Sequence, residues 1–234
     1  MNSRSQVQVR SAGAGFELRV GGTSASWYQP GRVLTGSVWD TLAVGTCALG
    51  VPRPVPACPD ILLLGLGGGS VARIIRAAIP SARLVGVELC AEVVAAARRA
   101  MALDTLGVQI HVEDAARFLT RPGRYDLVVE DCFLGGDGDL TKPLWLASAA
   151  GIDALVQRLA PGGVLVVDTI HESAQIRSHL RERFRSVVRI ETNDCTNQVF
   201  VATDRAITGR GLRSRIRAHE LLRATLGNLR LRSV

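Results

Sequence analysis

Apolar positions along the chain follow two periods. Residues 6–10 (QVQVR) alternate, residues 15–20 carry FELRV after a glycine, and SAGAG lies between them, so this stretch predicts a β-hairpin. A third short strand is expected over 24–28, before Pro30-Gly31 breaks it. In SVWDTLAVGTCAL (37–49) the apolar residues Val38, Leu42, Ala43 and Cys47 fall on one stripe, which predicts a buried helix. VPRPVPACPD (51–60) then reads as a proline-rich linker.

From Ile61 the rhythm becomes strand, helix, strand. ILLLGLGGG is a continuous apolar run that ends in glycines, as a parallel strand buried on both faces should read. Helix 70–78, strand 84–88, helix 91–103, strand 108–112, a short helix 114–120 and strand 125–131 are expected to follow. A Gly/Asp loop, a long helix near 143–159, strand 163–169 and helix 172–184 come next. The runs 186–192 and 197–204 lie close together and predict an antiparallel pair at one edge. This alternation specifies an α/β fold: a Rossmann-like, doubly wound, mostly parallel sheet of seven strands with an antiparallel edge, preceded by a small N-terminal β module. The expected organisation is a module at 1–50, the linker at 51–60, the main domain at 61–204 and a tail at 205–234.

Charge sharpens the last boundary. The formal net charge is +7, and from Arg205 onward there are eight arginines against the single acid Glu220. The body is therefore neutral, which excludes a uniformly basic nucleic-acid-coating protein. Residues 212–226 place Leu212, Ile216, Leu222 and Leu226 near one face, so the tail predicts an amphipathic helix that packs on the body or on a second subunit. The five cysteines are odd in number and lack C-x-x-C spacing, the opening residues carry no apolar leader stretch, and no run is long enough to span a bilayer. A cytoplasmic protein with reduced thiols, no membrane partner and no metal is expected, with nucleic acid a poor fit as partner. Lys142, the one lysine beside 27 arginines, reads as compositional bias.

The chemistry gathers at strand ends. Gly65-Leu66-Gly67-Gly68-Gly69-Ser70 sits between a strand and a helix, where glycines allow a tight turn and close approach of a ligand to the backbone. Glu88 ends the next strand, at about the spacing where an acid meets ribose hydroxyls. Asp114 follows the third strand and Asp131 the fourth. These positions lie at the carboxyl ends of parallel strands, where open α/β sheets bind ligands; packing glycines and helix-capping acids are the bland alternative. Ser70 is a near miss to the dinucleotide fingerprint, which leaves NAD as an option, and no P-loop is present. An acid after the third strand suits an adenine amino group and favours an adenosyl sulfonium.

LLLGLGGGSVAR, GVEL, VEDAARFL and YDLVVEDCF, in this order and spacing, resemble the spermidine-synthase-like (polyamine aminopropyltransferase-like) branch of the class I S-adenosylmethionine-dependent methyltransferase superfamily. The resemblance covers about residues 30–204 and includes TGSVWD. It implies S-adenosylmethionine, or its decarboxylated form, as cofactor. Gly65, Gly67 and Gly69 would face the sulfonium end, Glu88 with Leu89 the ribose, and Asp114 with Ala115 the adenine. Asp131 would be the acid that orients and deprotonates the attacking nucleophile. The chain departs from the aminopropyltransferase pattern where that pattern carries acids: Gly68 replaces the acid of the glycine loop, and Cys132-Phe133-Leu134-Gly135 replaces the stretch that anchors the far ammonium of a polyamine. The pattern's Tyr-Gln-Glu appears as Val38-Trp39-Asp40.

A transferase is the leading expectation, moving a methyl group to a small amine- or hydroxyl-bearing acceptor. Aminopropyl transfer and a non-catalytic binding module with a basic tail are the alternatives. Acceptor contacts are sought at Trp39, Asp40, Asp137 (in a loop that also holds Asp139) and His171; Asp168 points the same way, and Cys90 and Cys132 read as small packing groups. A homo-oligomer, assembled through the C-terminal helix, is the expected assembly.

Overall fold

Three antiparallel strands, β1 (Val7–Ala12), β2 (Gly15–Val20) and β3 (Thr23–Tyr28), form a front sheet in that order. The structure is a computed structural model and describes residues 6–50, 56–136 and 139–234. The first half of the linker expected at 51–60, residues 51–55, lies outside the described residues.

Helix α1 (Val38–Ala43) runs into a 3-10 turn at Val44–Ala48, and every residue from Trp39 to Leu49 is buried. The apolar residues Trp39, Leu42, Ala43 and Val44 pack in the main cluster rather than on the front sheet. The main sheet takes β4 (Asp60–Leu64), β5 (Arg83–Glu88), β6 (Val108–Val112), β7 (Tyr125–Glu130), β10 (Leu159–Thr169), β11 (Ser186–Thr192), β12 (Gln198–Thr203) and β13 (Leu229–Ser233). A small hairpin of β8 (Leu134–Gly136) and β9 (Asp139–Thr141) lies between β7 and β10 where the sequence predicts only a loop. The eight main strands stand in the order β13-β11-β12-β10-β7-β4-β5-β6. The five from β10 to β6 are parallel, and β12, β11 and β13 add antiparallel edges.

Alternating residues of each central strand serve two cores. Ile61, Leu63, Leu127, Val129, Val164 and Val166 face α1, α2 (Ser70–Ala78) and α8 (Gly209–Ala218). Leu62, Leu64, Val128, Leu165 and Val167 face the opposite layer, which includes α4 (Ala115–Leu119), α6 (Ala149–Val156) and α7 (Ser173–Arg183). Burial on both faces is what the unbroken apolar runs encode. Helix α3 (Ala91–Ala100) joins the two sheets: Val94 and Ala97 enter the main core, while Val93 and Ala96 meet Leu18 of β2.

Three expectations about elements are corrected. The helix predicted near 143–159 is two short helices, α5 (Leu144–Ala147) and α6. Ser148 separates them in an extended conformation, its hydroxyl accepting from the Gly151 amide at 3.1 Å. The seven-strand sheet has eight strands, because β13 from the basic C-terminal segment pairs with β11. The amphipathic helix expected over 212–226 is α8 at Gly209–Ala218, followed by a 3-10 turn at Leu222–Thr225. Its stripe residues Leu212, Ile216 and Leu222 are fully buried in the main core of the same chain, so that stripe is not available to a second subunit. Among the described residues no helix is long and apolar enough to cross a membrane.

Candidate active site

The order of strands reverses between β4 and β7. From β4 the chain winds outward through β5 and β6, then returns to place β7 on β4's other side. The carboxyl ends of β4 and β7 therefore diverge into a crevice, the place where open α/β sheets receive ligands. A cleft of about 2010 Å³ opens there, between the main sheet and the front sheet.

The glycine loop follows β4. Gly65 has φ +82°, and a Cβ on it would lie 2.7 Å from the Asp131 carbonyl carbon, so only glycine lets the ends of β4 and β7 come this close. The loop is braced from the front sheet. Ser26 Oγ accepts from the Gly68 amide at 2.6 Å, and Ser70 Oγ accepts from the Trp27 amide and donates to the Trp27 carbonyl, both at 2.9 Å. A Cβ on Gly68 would overlap the Met101 sulfur and sit 2.8 Å from Ser26 Cβ. The position where the resemblance places an acid thus has no room for a side chain.

Glu88 ends β5 beside this loop. Its Oε2 accepts from the Gly67 amide at 2.8 Å and its Oε1 from the Cys90 amide at 3.0 Å. Burial raises its pKa, against the lowering effect of these amide donors. Held on both oxygens, the carboxylate keeps one orientation at the cleft wall. Asp114 caps α4, its Oδ1 accepting from the Ala116 amide at 2.6 Å, and is exposed on the cleft margin with Ala115 and Leu89. Its capping and its ligand-facing position coexist.

Asp131 follows β7, its amide bonded to the Leu64 carbonyl at 2.9 Å. Asp168 lies on the neighbouring strand β10 and is 1% exposed. The two carboxyl groups hydrogen-bond each other. Burial and then the Asp168 charge push Asp131 well above the usual carboxylate range. Burial pushes Asp168 up to about 7, with Lys142 and the Asn197 hydrogen bond pulling the other way. Asn197 Nδ2 donates to Asp168 Oδ2 at 2.6 Å, whereas Asp168 Oδ1 is buried without a donor when both acids are ionised. A proton on either carboxyl would supply that donor, and burial beside a second acid favours holding one.

Beneath this pair lies a second one that sequence reasoning missed. Lys142 Nζ donates to both oxygens of Glu130, at 2.8 and 2.7 Å, with both side chains fully buried. Burial alone would lower the Lys142 pKa, but the charge and hydrogen bonds of Glu130 outweigh it and the net shift is upward. The lone lysine is thus a structural ion pair rather than compositional bias. Its one sequence signal was its uniqueness.

The cleft brings together Trp39, Gly65, Gly67, Glu88, Leu89, Asp114, Ala115 and Asp131, and adds Asp168 and Asn197. Three expected contributors are elsewhere. Gly69 opens α2 with φ +82°, and a Cβ there would lie 2.7 Å from Leu103 Cδ1, so it serves packing. Asp40 is buried, its carboxylate accepting from Thr35 and Gly36 at 2.7–2.8 Å, which holds the turn before α1. His171 is exposed and outside the cleft lining. Asp137 lies outside the described residues. Trp39 is only 8% exposed and belongs mainly to the core, with an edge on the cleft.

Known proteins share this fold. Residues 61–163 match the family described as a methyltransferase domain. A structure of a probable spermidine synthase from Corynebacterium glutamicum superposes with a TM-score of 0.78 over 98% of this chain and 88% of that one, at 16% identity. The fold is that of a spermidine-synthase-like class I methyltransferase. Human methyltransferase-like protein 13, solved in complex with SAH, superposes with a TM-score of 0.63 over 82% of this chain and 93% of that one, also at 16% identity. In sequence, a probable polyamine aminopropyl transferase of Bifidobacterium longum is 26% identical over 136 residues, which are 58% of this chain. The chain spans 28% of the length of that curated relative.

Proposed function

We propose that this protein is an S-adenosylmethionine-dependent transferase that moves a methyl group to a small amine- or hydroxyl-bearing acceptor. The observation that carries this reading is the Asp131–Asp168 carboxyl pair, placed at the crevice between β4 and β7 beside Gly65. The chain's residues fit the nucleoside. Gly65 and Gly67 keep the backbone bare at the cleft, Glu88 is fixed where it can accept from vicinal hydroxyls, and Asp114 with Ala115 bounds the far end. When bound, S-adenosylmethionine supplies a methyl carbon on a positively charged sulfur that leaves as a neutral thioether.

The chain's own work is to orient the nucleophile and take its proton. A carboxylate with a raised pKa is a stronger base near neutral pH than an ordinary one, and Asp131 stands where it can accept from N–H or O–H. Closing the nucleophile and the carbon into one cleft contributes most of the rate, since the sulfonium is already a good leaving group.

Methyl transfer is favoured over aminopropyl transfer by Gly68, whose Cβ position is filled by Met101 and Ser26, leaving no acid for the amino end of a decarboxylated cofactor. Aminopropyl transfer is the second reading, supported by the acid pair on the acceptor side. Incubating the full chain with S-adenosylmethionine, or with its decarboxylated form, and a panel of acceptors separates the two. S-adenosylhomocysteine marks methyl transfer and methylthioadenosine marks aminopropyl transfer; neither product across a broad panel sinks both. Asp131→Asn is expected to abolish turnover while cofactor binding, read by calorimetry, persists.

A further inference from the structure

The acceptor side of the cleft combines a confined charge with an apolar rim. Four large hydrophobic side chains are exposed on the described surface, and three of them, Leu89, Leu134 and Leu144, line this one cleft. Leu144 is 90% exposed and Leu134 is 50% exposed. Both lie next to Phe133 and Trp145 in sequence, and those two aromatic residues also line the cleft. Exposed apolar groups gathered at a cleft, rather than scattered, mark a surface that a ligand covers.

Most of the acids near the cleft are already engaged by other groups of the chain. Glu130 is consumed by Lys142, which holds both its oxygens out of solvent. Glu17 pairs with Arg19 at 3.0 Å and Glu113 with Arg121 at 2.8 Å. Glu88 is engaged by the amides of Gly67 and Cys90, and Glu92 accepts from the Cys90 thiol. What remains on the acceptor side is Asp131 with Asp168, which line the cleft next to Cys132, Phe133 and Leu134. Asn197 fixes Asp168, and the ammonium of Lys142, paired with Glu130, lies over the Phe133 ring at 4.4 Å from its centre.

We propose that the acceptor is an amine with a single positive charge and an apolar body, its nitrogen at the Asp131–Asp168 pair and its hydrocarbon against Phe133, Leu134, Leu144 and Trp145. This rests on the transferase reading of the cleft and narrows it to a substrate class. A linear diamine of similar length must place its second ammonium among these apolar groups, where no carboxylate among the described side chains receives it and Lys142 already sets a positive charge over Phe133, and desolvating an unpaired ammonium is costly. A monoamine of the same length places methylenes there and gains from their burial.

The test measures binding of hexylamine and of hexamethylenediamine to the full chain by calorimetry, with and without S-adenosylhomocysteine. Hexylamine is expected to bind at least about tenfold tighter than the diamine. Leu134→Asp and Leu144→Asp, both at exposed positions that folding does not need, are each expected to weaken hexylamine and strengthen the diamine. A diamine that binds wild type equally or better, absence of hexylamine binding at millimolar concentration, or variants that leave the preference unmoved would each overturn the proposal. Failure of the transferase reading gives a different signature, loss of S-adenosylhomocysteine binding, whatever the order of the amines.

Discussion

Asp168 shows how one residue's surroundings set both a reaction and a stability profile. Its pKa in the fold is about 7, against roughly 3.9 for an unperturbed aspartate. The folded state therefore holds this proton more tightly than the unfolded chain does. The stabilisation is complete below pH ~4 and is lost as pH rises through about 7. Asp168→Asn removes that dependence, so its melting temperature should exceed that of wild type at pH 8 and approach it at pH 4. Turnover has the opposite sign, because Asp131 must lose its proton to act as a base. Initial rates should rise with pH, above the range where an ordinary carboxylate ionises, and a flat profile would remove Asp131 from the mechanism. At Gly68 the constraint is volume. Gly68→Ala should cost about 1–3 kcal/mol in urea denaturation, because its Cβ meets the Met101 sulfur and Ser26. Glu88, Asp114 and Asp131 were legible in sequence because each follows a strand-like run. Asp40 and His171 misled because residue type alone does not say which way a side chain points.

Elements near the site depend on one another more than their sequences suggest. Strand β3 and the start of α2 are 43 residues apart, yet Ser70 binds both backbone groups of Trp27. Ser70→Ala removes two partly buried hydrogen bonds and should lower stability by about 1–3 kcal/mol. Because the brace holds the glycine loop, affinity for S-adenosylhomocysteine should fall with it; unchanged affinity would show that the loop keeps its shape unaided. The alternation of strand and helix was readable because buried parallel strands are apolar throughout and their helices amphipathic. The break at Ser148 was not, since a serine hydroxyl bonded to its own chain interrupts a helix without changing the apolar pattern. The β8–β9 hairpin escaped notice because its strands are three residues each and rich in glycine and aspartate.

At the scale of the molecule, the basic C-terminal segment is part of the body. Arg215 donates to the carbonyls of Cys47 and Leu49 at 2.6 and 2.8 Å, and Arg213 to that of Leu229 at 3.0 Å. These guanidiniums satisfy main-chain acceptors that would otherwise be left at the ends of elements. Ile216→Ala should cost about 2–5 kcal/mol, as for any fully buried aliphatic side chain. Deleting residues 205–234 uncovers Val188 and Ile190 and frees the edge of β11, so the shortened chain should aggregate. A soluble, cooperatively melting fragment would show instead that the segment is an appendage.

The amino-acid sequence by itself determined the order of elements, the parallel sheet and the strand ends that carry Gly65, Glu88, Asp114 and Asp131. These are local properties: hydrophobic period, glycine at a turn, an acid at a boundary. Tertiary structure decided what no local pattern holds. It made Asp131 and Asp168 one acid pair, turned the lone lysine into the partner of Glu130, filled the space above Gly68, and folded the charged C-terminal segment into the sheet as its eighth strand. Each of these depends on distances between residues remote in sequence, and charge sharing, steric exclusion and burial act only through such distances.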